Sequence, residues 1–455
     1  MALPKVFRIV PLALAVAACG SDGARPPTAP QAGAGAGGQL TYDAVQTVAV
    51  SPSEHDRFLG AVYDSTNRLY AAGFVGAGAD QQMAVTRFND GGGLDTGFGT
   101  NGTATVNVAK GGKAVELARG VVVQNDGKVV IAGPVEHDPA ASGDGAKDTD
   151  IALARFDSSG RLDPAFGTAG VVKLDLSTGV AEGTAFRGDT VWGLVKLAGD
   201  KLLVVGSQVA PGRTDADFAV VRLNADGTKD TAFGIAGTTL VSVGPDVSEV
   251  PKTAVELKDG KVVVAGYASV AGVVSPVLFR LTTAGTLDPS FGDAGVAVRP
   301  VLANVGEAYS VALAGNRFVT TGYGKDTAEA RVDLIANGFT LDGALDRSFG
   351  TNGTTRVDVA GEDDRGRNLV ALPDGRAILV GSGKPTGSNL DAMVVTLAAN
   401  GSQTGRKLYD VGGPNDAFFG VALSPDGKRV AVVGYLGRET NGSEKDDGAV
   451  LWLQP

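Results

Sequence analysis

The sequence predicts an all-β fold: a β-propeller of seven four-stranded antiparallel blades, closed by an N-terminal strand that completes the last blade. Three observations predict it. A short apolar strand ending in glycine returns along the chain, tight Gly/Asp turns stand beside the copies, and an unmatched strand precedes the first copy. In its clearest form the strand is KVVIAG, Lys128 to Gly133, and its analogues end at Gly73, Gly206, Gly266, Gly322, Gly381 and Gly434. The intervals between those glycines are 60, 73, 60, 56, 59 and 53 residues. That is the length of four short strands and their turns rather than of a helical repeat, which would carry 3.6-residue periodicity. Glycine, at 67 of 455 residues without a collagen triplet, fits a chain that turns this often.

The elements follow in chain order. Residues 1–18 place Lys5 and Arg8 before an apolar run from Ile9 to Ala18, too short to cross a bilayer and suited to an export signal. The stretch Val16-Ala17-Ala18-Cys19 resembles the lipobox of bacterial lipoproteins. That resemblance implies that Cys19 is lipidated, begins the mature chain and anchors it to membrane lipid. Gly20 after the Cys, where Asp would signal retention, resembles outer-membrane sorting in a Gram-negative bacterium. An ordinary export signal with an incidental Cys is the alternative. Loss of Lys5 and Arg8 would take the formal charge from −10 to −12. Residues 19–38 are Gly, Ala and Pro with few large apolar side chains, a flexible tether. The propeller is expected over residues 39–455.

Residues 39–50 form the unmatched strand. The repeat over 116–176 serves as the pattern for the rest, with strands ARGVVVQ, KVVIAG, DIALARF and GVVKLDL, all rich in β-branched residues. Turns such as Asp126-Gly127, Asp259-Gly260, Asp374-Gly375 and Asp426-Gly427 supply the positive φ of a tight hairpin. A second signature, Leu94-Asp95-x-x-Phe98-Gly99-x-x-Gly102, recurs around Phe166, Phe233, Phe291 and Phe349, has decayed in the sixth copy and is missing from the seventh. The seventh copy ends on a third strand, Val450 to Leu453, leaving room for residues 39–50 to hide an open edge.

Together, the DGK turn, the apolar strand ending in Gly, the strand ending in Arg-Phe and the G-x-LD-x-x-FG-x-x-G segment resemble the delta-60 repeats of bacterial secreted proteins over most of 57–455. The resemblance implies a propeller-like fold and brings no assigned chemistry. Phe98, Phe166, Phe233, Phe291 and Phe349, spread around a ring, cannot converge on one ligand and are expected to pack between blades. The neighbouring Asp is expected to cap the Phe-Gly turn. Arg87, Arg155, Arg222 and Arg280 are expected in structural ion pairs, with Asp150 and Asp217, five residues before Arg155 and Arg222, as candidate partners.

Function is expected where the repeats disagree, on the face of the variable loops 74–81, 134–149, 207–216 and 435–445. Counting nine residues back from each turn Lys or Arg gives Leu59, Arg119, Trp192, Lys252, Ala308, Arg367 and Phe419 at the channel mouth. Arg119, Trp192, Lys252, Arg367 and Phe419 are the candidate ligand-binding residues, fit for an anionic or sugar-like ligand; they serve equally as the rim of a plugged channel. One Cys and two His exclude a disulfide framework and a Cys/His zinc site. The acidic balance argues against nucleic acid. No nucleophile elbow, P-loop or EF-hand is present, and neither His55 nor His137 has an evident partner; no catalytic residue, metal site or cofactor is expected. The expected function is a non-enzymatic, lipid-anchored envelope scaffold that binds a protein or glycan through its loop face. A channel-mouth enzyme of lactonase or sugar-dehydrogenase type and a purely structural envelope protein are the alternatives.

Overall fold

A computed structural model describes residues 41–42, 44–50, 55–76, 81–110, 116–138, 148–182, 185–245, 247, 249–410, 413–440 and 443–455. The expected export signal, Cys19 and the tether lie outside the described residues.

The all-β expectation holds. In the repeat that served as the pattern, Gly120–Val123, Val129–Glu136, Thr149–Phe156 and Val171–Leu174 pair in chain order as an antiparallel meander. The preceding repeat pairs Asp56–Tyr63, Leu69–Val75, Gln82–Phe88 and Thr103–Val106 in the same way, and the following one pairs Thr190–Lys196 through Thr238–Val241. The extra length between Gly133 and Gly206 holds a two-stranded hairpin, Val180–Glu182 with Ala185–Arg187. Between the next two repeats, the short strand Val305–Gly306 runs parallel to Val273–Leu281 and antiparallel to Arg317–Lys325, fusing both repeats into one sheet. Gly361–Ala371 through Gln403–Tyr409 form a separate four-stranded sheet.

The last sheet holds Asp416–Leu423, Val430–Thr440 and Ser443–Gln454. Alongside Ser443–Gln454 run two pieces from the start of the chain: Thr41 pairs with Gln454, Tyr42 with Leu453, and Gln46–Val48 with Gly448–Val450.

The first strand of each repeat lies against the first strand of the next, and Asp416–Leu423 lies against Asp56–Tyr63. These inner strands thus follow one another in unbroken succession. Second and third strands are covered on both faces by neighbouring sheets, so Leu202–Val209 is buried at every position. That double coverage is why such strands read as continuous apolar runs rather than alternating ones. The cores lie between sheets: one joins Val130, Ile151 and Phe166 to Leu194, Val204 and Val221 of the next repeat, and another joins Val48, Val450 and Trp452 to Phe58, Leu69 and Phe88.

The Phe-Gly signature is a latch between repeats. Phe98, Phe166, Phe233, Phe291 and Phe349 are all buried. The glycine after each donates its N–H forward, Gly99 to the Ser159 carbonyl (2.8 Å), Gly234 to Ala284 (2.8 Å) and Gly292 to Asp342 (2.7 Å). Arg87, Arg155, Arg222 and Arg280 stack on these rings at 4.5, 4.7, 4.5 and 5.0 Å. Each also pairs with the Asp of its own signature: Arg87 with Asp95 (2.8 Å), Arg155 with Asp163 (3.0 Å), Arg222 with Asp230 (2.7 Å) and Arg280 with Asp288 (2.8 Å). The expected partners Asp150 and Asp217 are therefore not the ones used. Five residues is an odd interval, and along a strand odd intervals point to opposite faces. The same Asp caps the turn as expected; Asp288 Oδ1 accepts the Ser290 N–H at 3.1 Å.

Candidate functional site

The channel-mouth side chains are aimed by β-bulges. Register slips by one residue between Phe58 and Gly60, Val191 and Gly193, Pro251 and Thr253, Gly366 and Asn368, and Phe418 and Gly420. The unpaired residue in each case is Leu59, Trp192, Lys252, Arg367 or Phe419, the position reached by counting back from the turn. A bulge turns one side chain out of the ladder, and here several of the side chains so turned meet one another. It also drives the inner backbone onto the next strand, which is the reason for the recurring glycine: a Cβ at Gly206 would overlap the Thr190 carbonyl oxygen, and one at Gly381 that of Arg365.

In the fifth repeat the count lands one residue off. Ala314 pairs with Arg317 across a two-residue turn, whereas Tyr63 pairs with Leu69 across five residues. The shorter hairpin places Tyr309 rather than Ala308 in the ring, and Ala308 is fully buried. The glycine contacts agree: Gly322 faces the Glu307 carbonyl, two residues before Tyr309, just as Gly206 faces Thr190, two before Trp192.

Arg119, Trp192, Lys252, Arg367 and Phe419 are brought together. The Arg119 guanidinium lies 3.6 Å from the centre of the Trp192 ring, and Lys252 Nζ lies 3.2 Å from it. Lys252 Nζ is also 3.8 Å from the Tyr309 ring centre, and Arg367 lies 5.2 and 5.4 Å from those of Tyr309 and Phe419. Lys252 is only 3% exposed. Burial, and then the Arg119 charge, hold its ammonium well below the usual lysine range, while Glu307 opposes the shift. Burial pulls Arg119 down to about 10. Burial raises the Glu307 carboxyl, opposed by Lys252 and by the Tyr323, Tyr267 and Tyr309 hydroxyls. Two donors point nowhere: Arg119 Nη1 and Arg367 Nε are buried without a hydrogen-bond acceptor among the described residues.

Sequence reasoning found Trp192 and Phe419 but missed the tyrosines of this site. Tyr267 stacks on Tyr309 (5.9 Å), Tyr309 meets Tyr323 (5.4 Å), and Phe419 stacks on Tyr435 (6.0 Å). Tyr267, Tyr323 and Tyr435 each follow the recurring strand glycine directly, a position that the alignment of repeats already exposed.

Three segments, residues 124–166, 200–233 and 257–291, match the family model described as "Domain of unknown function (DUF5122) beta-propeller". The repeats are of β-propeller type. Among solved structures, the chain is similar to the polysaccharide lyase Uly1 at 11% identity and a TM-score of 0.53, covering 91% of this chain and 99% of that one. It is similar also to a protein of unknown function from Dyadobacter fermentans DSM 18053, at 12% identity, a TM-score of 0.48 and coverages of 91% and 99%. The WD40 repeats of RRP9 match at 10% identity and a TM-score of 0.43, covering 90% and 99%. No curated protein sequence matches the chain.

A second feature of the propeller also went unread. Three residues before the mouth position stands a buried carboxylate, at Asp56, Glu116, Asp189, Glu249, Asp364 and Asp416. Several hold the incoming loop by its backbone: Asp189 accepts from Leu176 and Ser177, Glu249 from Val243, and Asp364 from Val359 and Ala360. Burial raises Asp189 and Asp364 to about 6 and Glu249 to about 7. The histidines do have partners, His55 in a distant segment and His137 across its own hairpin. His55 Nδ1 is 3.0 Å from Asp446, and His137 Nδ1 is 3.1 Å from Asp150, whose hydrogen bond raises the imidazole.

Proposed function

We propose that this chain is an exported, lipid-anchored binding scaffold of the bacterial cell envelope, a seven-bladed propeller of delta-60 type that takes an acidic glycan at its channel mouth. The ring is supported by the unbroken succession of inner strands and by the pairing of Thr41–Tyr42 and Gln46–Val48 with the last strand. The anchor at Cys19 and an outer-membrane destination rest on the lipobox-like segment. Incorporation of a labelled acyl chain, lost in Cys19→Ala, tests them.

The observation that carries the ligand reading is the pair of orphaned donors. A buried N–H without an acceptor costs about 1–3 kcal/mol, more on a charged group. Arg119 Nη1 and Arg367 Nε bear that cost at the mouth of a chain whose net charge is −10. A carboxylate supplies the missing acceptors through charge-assisted bonds, and the Trp192 and Phe419 faces offer flat apolar surface beside it. Uly1, whose name makes it a polysaccharide lyase, gives the glycan class a precedent on a similar fold.

The test is calorimetric titration of the full chain with oligogalacturonate and with a neutral cello-oligosaccharide. The acidic probe is expected to bind and the neutral one not. Arg119→Ala is expected to weaken binding at least tenfold, about 1.4 kcal/mol. Equal binding of both probes, or of neither, overturns the reading. Release of shortened products would replace binding with enzymatic action at the same mouth.

A further inference from the structure

We propose that Asp391, Asp410 and Asp416 form a binding site for calcium at the junction of the sixth and seventh repeats. Asp391 opens the strand Asp391–Leu397, Asp410 follows the strand Gln403–Tyr409, and Asp416 opens the strand Asp416–Leu423. One carboxylate oxygen from each lies within 4.8 Å of the others. The Asp416 N–H donates to the Leu390 carbonyl at 2.7 Å, which fixes two of the three segments against each other.

Three carboxylates alone would not make a site. Asp391 supplies the second observation. It is 6% exposed, its carboxylate lies with those of the other two acids, and no hydrogen bond or ion pair reaches that carboxylate among the described residues. A buried carboxylate in that state is costly unless a cation joins it.

The other repeats show what is missing. The corresponding acid in the second repeat, Asp150, is paired with Lys173 at 3.1 Å. In the third repeat Asp217 pairs with Arg213, and in the fifth Asp333 pairs with Arg356. Lys173 and Arg356 occupy one position of the fourth strand, opposite the residue two after the acid, as the pairs Lys173–Ala152 and Arg356–Ile335 show. In the sixth repeat that position, opposite Met393, is Leu408. The internal cation has been replaced by a methyl-bearing side chain while the acid remains, and Asp175, Asp358 and Asp410 stand two residues beyond Lys173, Arg356 and Leu408. The geometry thus keeps the frame and leaves the positive charge to come from solution.

The donor set decides which cation. Only carboxylate oxygens are present, with no imidazole or thiolate, so the site suits a hard ion. Calcium accepts irregular oxygen cages, whereas magnesium demands near-ideal octahedral geometry and gives up its water reluctantly.

The experiment strips the full chain with EDTA and follows its melting temperature and heat of binding as calcium chloride or magnesium chloride is added. Calcium is expected to raise the melting temperature saturably, with a dissociation constant on the order of 10⁻³ M or tighter, and magnesium to have a much smaller effect. Asp391→Asn should abolish the calcium response, and Asp410→Asn, at an exposed position, should weaken it at least tenfold. Asp333→Asn should leave it intact. Absence of any calcium response up to about 10 mM, or a response that survives in both Asp391→Asn and Asp410→Asn, overturns the proposal. An equal response to magnesium overturns the choice of calcium.

Discussion

Gly206 is the smallest residue with a large duty. Its lack of a side chain lets the bulged inner strand press against it, and the bulge in turn sends Trp192 between Arg119 and Lys252. Packing and site geometry are therefore one requirement at this position. Gly206→Ala is expected to lower stability by about 1–3 kcal/mol, the usual cost of forcing extra atoms into a filled space. The measurement is the urea midpoint, which should fall with little change in slope; an unchanged midpoint would show that the backbones can separate at no cost. Arg155 is a contrasting case. Its ion pair with Asp163 is buried, so its benefit lies in the stack on Phe166 and the hydrogen bond to the next repeat's Ala225 (2.5 Å) as much as in charge.

At the scale of strands and turns, the buried carboxylates Asp189, Glu249 and Asp364 at the heads of their inner strands make stability depend on pH. Burial is the main cause of Glu249's rise from 4.5 to about 7, opposed by the N–H groups of Val243 and Phe218 and reinforced by the charge of Asp217. The folded value lies above the unfolded one. The stabilising contribution is thus complete below about pH 4.5 and is lost as pH climbs through about 7, because the folded chain must then carry a desolvated charge. Glu249→Gln removes this slope. The melting temperature of the variant relative to wild type should rise steadily between pH 5 and 8, and parallel curves would refute the assignment.

How much was legible in the sequence is best judged strand by strand. Doubly covered strands announced themselves, because continuous apolar runs such as KLLVVG need no periodicity to be recognised. The mouth position was legible wherever the hairpin had standard length, and Tyr309 was missed because a turn three residues shorter in loop and one residue shorter in register shifted the count. The arginine partners were missed because spacing was considered without the alternation of faces. Asp391, Asp410 and Asp416 were beyond reach, since nothing in a 19-residue or a 6-residue interval marks three acids as neighbours before the strands are paired.

For the whole molecule, the latches run forward only. Each joins a repeat to its successor, from Gly99–Ser159 to Gly350–Asn400. The junction of last and first repeats is held instead by Trp452, Phe88 and Phe58, by the Arg57–Asp446 ion pair, by the hydrogen bond from Arg429 to the Asp90 carbonyl and by the N-terminal strand pairs. A chain lacking residues 1–50 would uncover the outer edge of Ser443–Gln454 and one wall of the Trp452 cluster. It is expected to melt earlier than the full chain and to associate with rising concentration, because an unpaired strand edge invites another. Light scattering across a dilution series checks this, and a monodisperse, equally stable chain would show that the N-terminal strand closes nothing.

Thr41 beside Gln454 also brings the first and last paired residues described to one corner of the last sheet. Adjacent strands stand about 4.8 Å apart, so in a chain trimmed to residues 41–454 a short peptide would join Gln454 to Thr41. The cut could then be moved to an exposed hairpin tip such as Gly272, making a circular permutant whose order of synthesis differs while every rung of the ladder is kept.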